Sequence, residues 1–144
     1  MRTLIRITIS LAVLAAVLHL AGCGSDPAPE TGAEKATKLL TAATWNTQSV
    51  TVGGASSTIY NNLKVTFTAT GFTATHGGSV WPASGTWKFT DDTGETMVRG
   101  DGLSISVTEL TSTKVVMRLA WNKTTLGGGR SESLSGQHVF TFGK

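Results

Sequence analysis

From residue 44 onward the chain alternates apolar and polar side chains with a period of two, which indicates half-buried β-strands. Leu63, Val65 and Phe67 share one face of such a strand, while Lys64 and Thr66 take the other. Clusters of Gly, Asp, Ser and Thr between these segments are typical of tight turns. The predicted strands span residues 44–52, 63–70, 72–76, 85–90, 96–99, 103–110, 114–121 and 134–142. This pattern predicts an all-β domain, an up-and-down antiparallel meander of about eight strands.

The segment before these strands divides into a tether and a short helix. Pro27, Pro29 and polar side chains dominate residues 24–32, which carry too little apolar surface to order themselves. Residues 33–42 have helix character, and we expect one or two turns there. The prediction is a flexible tether over residues 23–36 and one domain over 37–144, long enough for a single core without disulfides.

Residues 1–22 have the three parts of an export signal: a basic start with Arg2 and Arg6, an apolar run over 11–20, and a small-residue cleavage zone. The alternative is a membrane-spanning helix, which needs about 20 apolar residues. This run is shorter, and His19 interrupts its end. We therefore predict a cleaved signal peptide over residues 1–22.

The tetrad Leu20-Ala21-Gly22-Cys23 resembles the lipobox of bacterial lipoproteins. The resemblance implies that the Cys23 thiol receives a diacylglycerol, that the chain is cut before it, and that the new amine is acylated, with palmitate as a typical chain. More than one acyl chain anchors a protein stably, whereas a single chain binds only marginally. We expect a lipid-anchored protein of the cell envelope, in the outer membrane of a Gram-negative bacterium. Residues 24–26 themselves do not decide between the inner and the outer membrane.

Cysteine use and charge exclude several classes of partner. Cys23 is the single cysteine of the chain, so no disulfide is expected, and acylation would leave no free thiol. Removing Arg2 and Arg6 from the twelve lysines and arginines leaves ten, against nine acidic residues. A nearly neutral domain lacks the clustered basic face that nucleic acid requires, so we expect no nucleic-acid partner.

Histidines and carboxylates give no catalytic or metal signature. His76 and His138 fall in different predicted strands, whereas a zinc site takes roughly three or four ligands. Asp91, Asp92 and Glu95 surround a Thr-Gly pair and fit a hairpin turn better than a calcium loop or an acid–base pair. The sequence therefore predicts a non-enzymatic protein with no cofactor, no metal and no catalytic residue.

Four aromatic residues are candidates for ligand binding: Trp45, Tyr60, Trp81 and Trp121. Trp81 lies in a segment rich in Gly and Pro and Trp121 at a predicted strand end, so either could stack on a sugar or an apolar ligand at a barrel mouth. The alternative is that they close the barrel ends as core, because large aromatic side chains are highly buried on average.

Several short motifs, in their order along the chain, give a second resemblance to known proteins. Trp45 opens the first strand, "Leu-x-Val-x-Phe" follows at 63–67, "Ser-Gly-Thr-Trp-x-Phe" at 84–89 and "Leu-x-Ile-x-x-Thr" at 103–108. Over residues 37–144 the chain resembles small lipocalin-like lipoproteins of Gram-negative bacteria. The resemblance implies a closed or nearly closed antiparallel barrel, whose larger relatives hold apolar ligands inside.

The sequence departs from lipocalins proper, which open the first strand with Gly-x-Trp, because Trp45 here follows Ala43-Thr44. The domain is also shorter than those carriers, and both departures argue against a roomy cavity. Two functions stay open: binding of a small apolar or amphiphilic ligand or a glycan at a barrel opening lined by the four aromatic residues, and a filled barrel whose loops, such as 122–133, contact an envelope protein. A lined interior cavity favours the first and a solid core the second.

Overall fold

Eight antiparallel strands close into a barrel, with a short helix at one end. The computed structural model describes residues 27–127 and 130–144; the predicted signal peptide, Cys23 and residues 24–26 lie outside the described residues. The elements are α1 Gly32–Thr41, β1 Thr44–Val52, β2 Ala55–Ser56, β3 Lys64–Phe67, β4 Gly71–Thr75, β5 Ser84–Phe89, β6 Thr96–Arg99, β7 Ser104–Leu110, β8 Lys114–Trp121, β9 Thr125–Gly127, β10 Arg130–Ser133 and β11 Gly136–Gly143.

The strands of the barrel follow chain order: β3, β4, β5, β6, β7, β8 and β11 each pair with the next one in this series. β1 completes the ring: it pairs with β3 on one side and with β11 on the other, from Asn46 opposite Gly143 to Val52 opposite His138. The predicted all-β up-and-down meander is confirmed, and the architecture agrees with a small lipocalin-like barrel. The bounds of β1, β6 and β8 are those predicted.

Three short strands were missed by the period-two pattern. β2 extends the sheet beside the end of β1, where β3 no longer reaches, with Thr51 opposite Ser56. β9 and β10 form a separate two-stranded sheet within residues 122–133, which the sequence predicted to be a loop. β2 and β9, with two and three residues, are too short to show an alternation, and β10 consists of polar residues alone, so no apolar position marks it.

β3 ends three residues earlier than predicted. The second predicted strand continued to residue 70, with Ala69 on the same buried face as Phe67, but β3 ends at Phe67 and Ala69 is exposed. Thr68 explains the early end, because its hydroxyl accepts from Gly71 N–H at 3.1 Å and closes a tight turn into β4.

The helix begins one residue before the predicted segment and is longer than one or two turns, with ten residues. Thr31 and Glu34 form a capping box that satisfies free N–H groups of the first turn. Ala36 and Leu40 are buried against the barrel. Gly94, at a φ of +76°, lets the 90–95 turn approach the helix so closely that a Cβ there would lie 2.8 Å from the Gly32 carbonyl oxygen.

The strand directions give the barrel two distinct ends. At the helix end lie α1, the turns 68–70, 90–95 and 111–113, and the last residues of the chain. At the opposite end, which we call the distal end, lie the connections 53–63, 76–83, 100–103 and 122–135. Because antiparallel strands reverse direction at every turn, this division follows from the pairing alone.

Aromatic side chains occupy the interior. The Trp81 indole meets Phe72, Phe140 and Phe142 edge to face at centroid distances of 5.5, 6.1 and 6.2 Å. Such contacts are the preferred geometry of aromatic pairs and add stabilisation beyond burial. Trp45, at the helix end, is also fully buried, and its Nε1–H donates to the Leu40 carbonyl at 2.8 Å. Both ends of the barrel are thus closed by large side chains.

Trp81 reaches the interior although it lies on the connection 76–83 and not on a strand. Trp81 N–H donates to the Gly77 carbonyl at 3.0 Å, which closes a turn that folds inward. A Cβ on Gly77 would lie 2.3 Å from Trp81 Cβ, so only glycine permits this turn. The turn also buries Val80 completely.

The two buried indoles allow a matched comparison. Trp45 and Trp81 are 0% and 1% exposed, and each has a cation 5.6 Å from its ring, but no acceptor among the described residues bonds Trp81 Nε1. We expect Trp45→Phe to reduce the free energy of unfolding by about 1 to 2 kcal/mol more than Trp81→Phe, since only the first change breaks a buried hydrogen bond. Urea unfolding of both variants measures the difference, and equal or reversed losses would contradict it.

Candidate functional site

The structure separates the four aromatic candidates between the two ends of the barrel. Trp45 lies at the helix end, while Tyr60, Trp81 and Trp121 belong to the distal end. Trp45, Tyr60 and Trp81 are buried, and Trp121 is half-buried. Of the four, Trp121 is therefore the one that presents ring surface to solvent, and it does so at the distal end.

Tyr60 and His138 form a buried pair beneath the distal end. His138 Nδ1 lies 3.0 Å from the Gly136 carbonyl oxygen, which can only accept, so Nδ1 carries the proton. Nε2 then accepts from the Tyr60 hydroxyl at 3.2 Å. Burial lowers the pKa of His138, with the Gly136 hydrogen bond opposing it, and burial raises the pKa of Tyr60. The pair is thus neutral, as expected for a hydrogen-bonded core histidine.

A buried arginine fixes a carboxylate at the rim. The Arg99 side chain is 2% exposed, and its Nε and Nη2 donate to Asp101 Oδ1 and Oδ2 at 3.1 and 2.5 Å. Nη1 donates to the Val80 carbonyl, and the guanidinium carbon lies 5.6 Å from the Trp81 ring centroid. The hydrogen bonds from Arg99 to the carboxylate lower the pKa of Asp101, whose side chain is 50% exposed. The sequence pattern did not single out this pair.

A groove of about 360 Å³ runs beside Asp101. Trp121 lines it, and its indole Nε1–H donates to the buried Ser133 hydroxyl at 3.2 Å. The same hydroxyl donates to the Lys123 carbonyl at 3.2 Å, so the ring is held in one orientation. We call this the Trp121 groove; its lining residues are Asp101, Gly102, Leu103, Ala120, Trp121, Asn122 and Lys123.

Other grooves also adjoin the barrel. One of about 310 Å³ lies on the other side of Asp101 and is lined in part by Phe72, Pro82 and Thr86. Another, of about 500 Å³, lies at the helix end between α1 and the half-buried Phe89. Asp101 lines the first of these grooves and the Trp121 groove, so one fixed carboxylate serves both.

The carboxylate cluster of the sequence forms a turn. Asp91 Oδ1 accepts from the N–H and the hydroxyl of Thr93 at 2.9 and 2.5 Å, and these bonds lower the pKa of Asp91. The predicted turn chemistry is confirmed. Within residues 27–127 and 130–144, no three His, Cys, Asp or Glu side chains are grouped so that they could hold a metal ion.

Neither the helices of the structure nor comparison with known proteins assigns the chain to a class or a family. In the part of the chain that the structure describes, no helix has the length and apolarity needed to cross a bilayer. No protein-family model, no curated protein and no solved structure matches the chain. The resemblances to the lipobox and to lipocalin-like lipoproteins therefore stay predictions.

The neutral His138 predicts a pH dependence of stability. The unfolded chain binds a proton at this residue below about pH 6.5, whereas the folded chain resists it. The free energy of unfolding should therefore fall as the pH drops from about 7.5 to about 5, and His138→Phe should reduce that fall. Urea unfolding at both pH values checks this, with His76→Gln as the control because His76 is exposed. An unchanged fall in His138→Phe would contradict the prediction.

Proposed function

We propose that this chain is a lipoprotein of the cell envelope, held by lipid on Cys23, whose lipocalin-like barrel is a non-catalytic binding module that contacts its partner at the distal end. The sequence left two functions open: binding of a small ligand or a glycan at a barrel opening, and contact of a filled barrel with an envelope protein. The filled interior disfavours a ligand inside the barrel and favours contact with a partner at the outer surface of the distal end. The observation that carries the proposal is the position of Trp81 and its aromatic neighbours in the barrel interior.

The filled interior bears directly on where a partner binds. Trp81, Tyr60 and Phe140 are at most 1% exposed and touch one another through the Phe140 ring, at 6.1 and 5.3 Å. A ligand inside the barrel would have to displace at least one of them and lose its buried contacts, about 3 to 5 kcal/mol for a large aromatic side chain. The outer surface carries no such cost.

The position of the chain entry favours the distal end. Residue 31 leads into α1, which packs at the helix end, where Ala33 N–H donates to the Asp92 carbonyl at 3.0 Å. An anchor upstream of Thr31 therefore joins the barrel at the helix end. The distal end, with its grooves and connections, lies on the far side of the barrel from that junction. An anchored molecule thus keeps the distal end accessible.

Lipidation predicts how the chain behaves in cells. We expect the full-length chain to fractionate with membranes, and Cys23→Ser to abolish this, because the substituted chain cannot receive a thioether-linked lipid. Immunoblots of membrane and soluble fractions, together with the mass of the mature chain, measure the outcome. Cys23→Ser chains that still fractionate with membranes, or a wild-type mass without lipid, would show that the anchor is misassigned.

Binding at the distal end predicts that cross-linking occurs at the distal end of the barrel and not at the helix end. We expect a photoreactive residue at exposed Ala83, in the distal connection 76–83, to form an adduct with an envelope component in living cells. The same residue at Ser112, exposed in the helix-end turn 111–113, is the matched control and should form none. Adducts at position 112 alone would reverse the proposed orientation, and adducts at neither position would remove support for a binding module.

A further inference from the structure

We infer that the Trp121 groove binds the N-acetylated amino-sugar rings of a glycan. The inference rests on the proposed function and names the class of partner at the distal end. Three features of the groove support it: an oriented ring face, a fixed carboxylate, and exposed amide and ammonium donors.

The ring face comes from Trp121. Because the indole N–H is bonded to the buried Ser133 hydroxyl, the polar edge of the ring is satisfied inside the protein. The part of this half-buried side chain that lines the groove therefore offers carbon surface. A pyranose ring presents C–H groups on one face, and such a face packs well on an oriented aromatic ring.

The carboxylate comes from Asp101. Arg99 holds both of its oxygens, and the Leu103 N–H donates to Oδ1 at 3.2 Å, so the carboxylate keeps one orientation. An ionised carboxylate has about four acceptor positions, and these three bonds leave capacity for a further donor. Because the arginine lowers the pKa of Asp101, the group stays ionised at neutral and mildly acidic pH. It can accept from a sugar hydroxyl or an amide N–H without a cost of reorganisation.

Donors complete the groove. Asn122 and Lys123 are exposed at its edge and supply amide and ammonium N–H groups. An acetamido substituent carries one N–H donor and one carbonyl acceptor, which match the fixed Asp101 carboxylate and these donors respectively. A plain hexose ring would match the carboxylate through its hydroxyls but would lack the amide carbonyl.

The same geometry disfavours an extended peptide as the occupant. A peptide that adds to a sheet needs a strand with a free edge. β8, which carries Trp121, pairs with β7 on one side and β11 on the other, with Trp121 itself opposite Gly136. The groove therefore offers side chains and a ring face, which suit a glycan.

The test uses the full-length chain purified in detergent and two matched ligands, the tetramer of N-acetylglucosamine and the tetramer of glucose with the same β-1,4 linkage. Titration calorimetry should detect the first ligand and give clearly weaker binding for the second. We expect Trp121→Leu to weaken binding about tenfold, and Asn122→Ala to weaken it by a smaller factor. Phe89→Leu, a change of the same type in a half-buried ring at the helix end, should leave it unchanged.

Asn122→Ala guards against a folding artefact, because this residue is exposed, whereas Trp121 packs partly on the core. Circular dichroism verifies the fold of each variant. No binding of the N-acetylated tetramer by the folded wild type would overturn the inference, and so would equal binding of both tetramers or full binding by Trp121→Leu. In those cases, adducts from position 83 would still support a binding module, with a protein as its partner. Failure of the glycan inference is therefore distinguishable from failure of the proposed function.

Discussion

Hydrogen bonding between β1 and β11 joins the two ends of the meander and turns an open sheet into a barrel. Once the ring is closed, the inward face of every strand meets the same interior, and no long strand keeps a free edge. An eight-stranded barrel encloses a space just wide enough for side chains. The size of the interior residues then decides whether room for a ligand remains, and Trp81, Phe140 and Phe142 take that room.

Closure also dictates how polar groups enter the interior. Arg99 points inward and is buried, so its guanidinium depends on Asp101 and the Val80 carbonyl for partners. His138 points inward too and depends on Tyr60 and the Gly136 carbonyl. Both sets lie at the distal end, where connections bring backbone carbonyls close to strand ends. Because the buried Arg99 guanidinium needs an acceptor, it binds Asp101, and this contact holds the Asp101 carboxylate in one orientation, half exposed at the rim.

The fold was largely predictable because alternation with a period of two reports which face of a strand is buried. The bounds of β1, β6 and β8 follow from it, and so does the burial of Leu63, Val65 and Phe67 on one face. The separate β9–β10 sheet did not follow, since its strands are short and do not contribute to the barrel. The candidate site was predictable only in part: Trp121 was among the aromatic candidates, but Asp101 was not.

The sequence by itself determined the class of fold, the order of the strands and the faces they bury, because these depend on neighbours in the chain. Only the tertiary structure decided the destinations of the aromatic side chains. Trp81 and Trp121 both looked available for a barrel mouth, yet Trp81 enters the core and Trp121 stays at the rim. The reason is that Trp81 follows a turn through Gly77 that folds inward, whereas Trp121 is held beside Ser133 at the end of β8. The Gly77 turn is local, but Phe140 and Phe142, on which the Trp81 ring packs, are distant in sequence, and so is Ser133 from Trp121. The period-two pattern does not report these contacts.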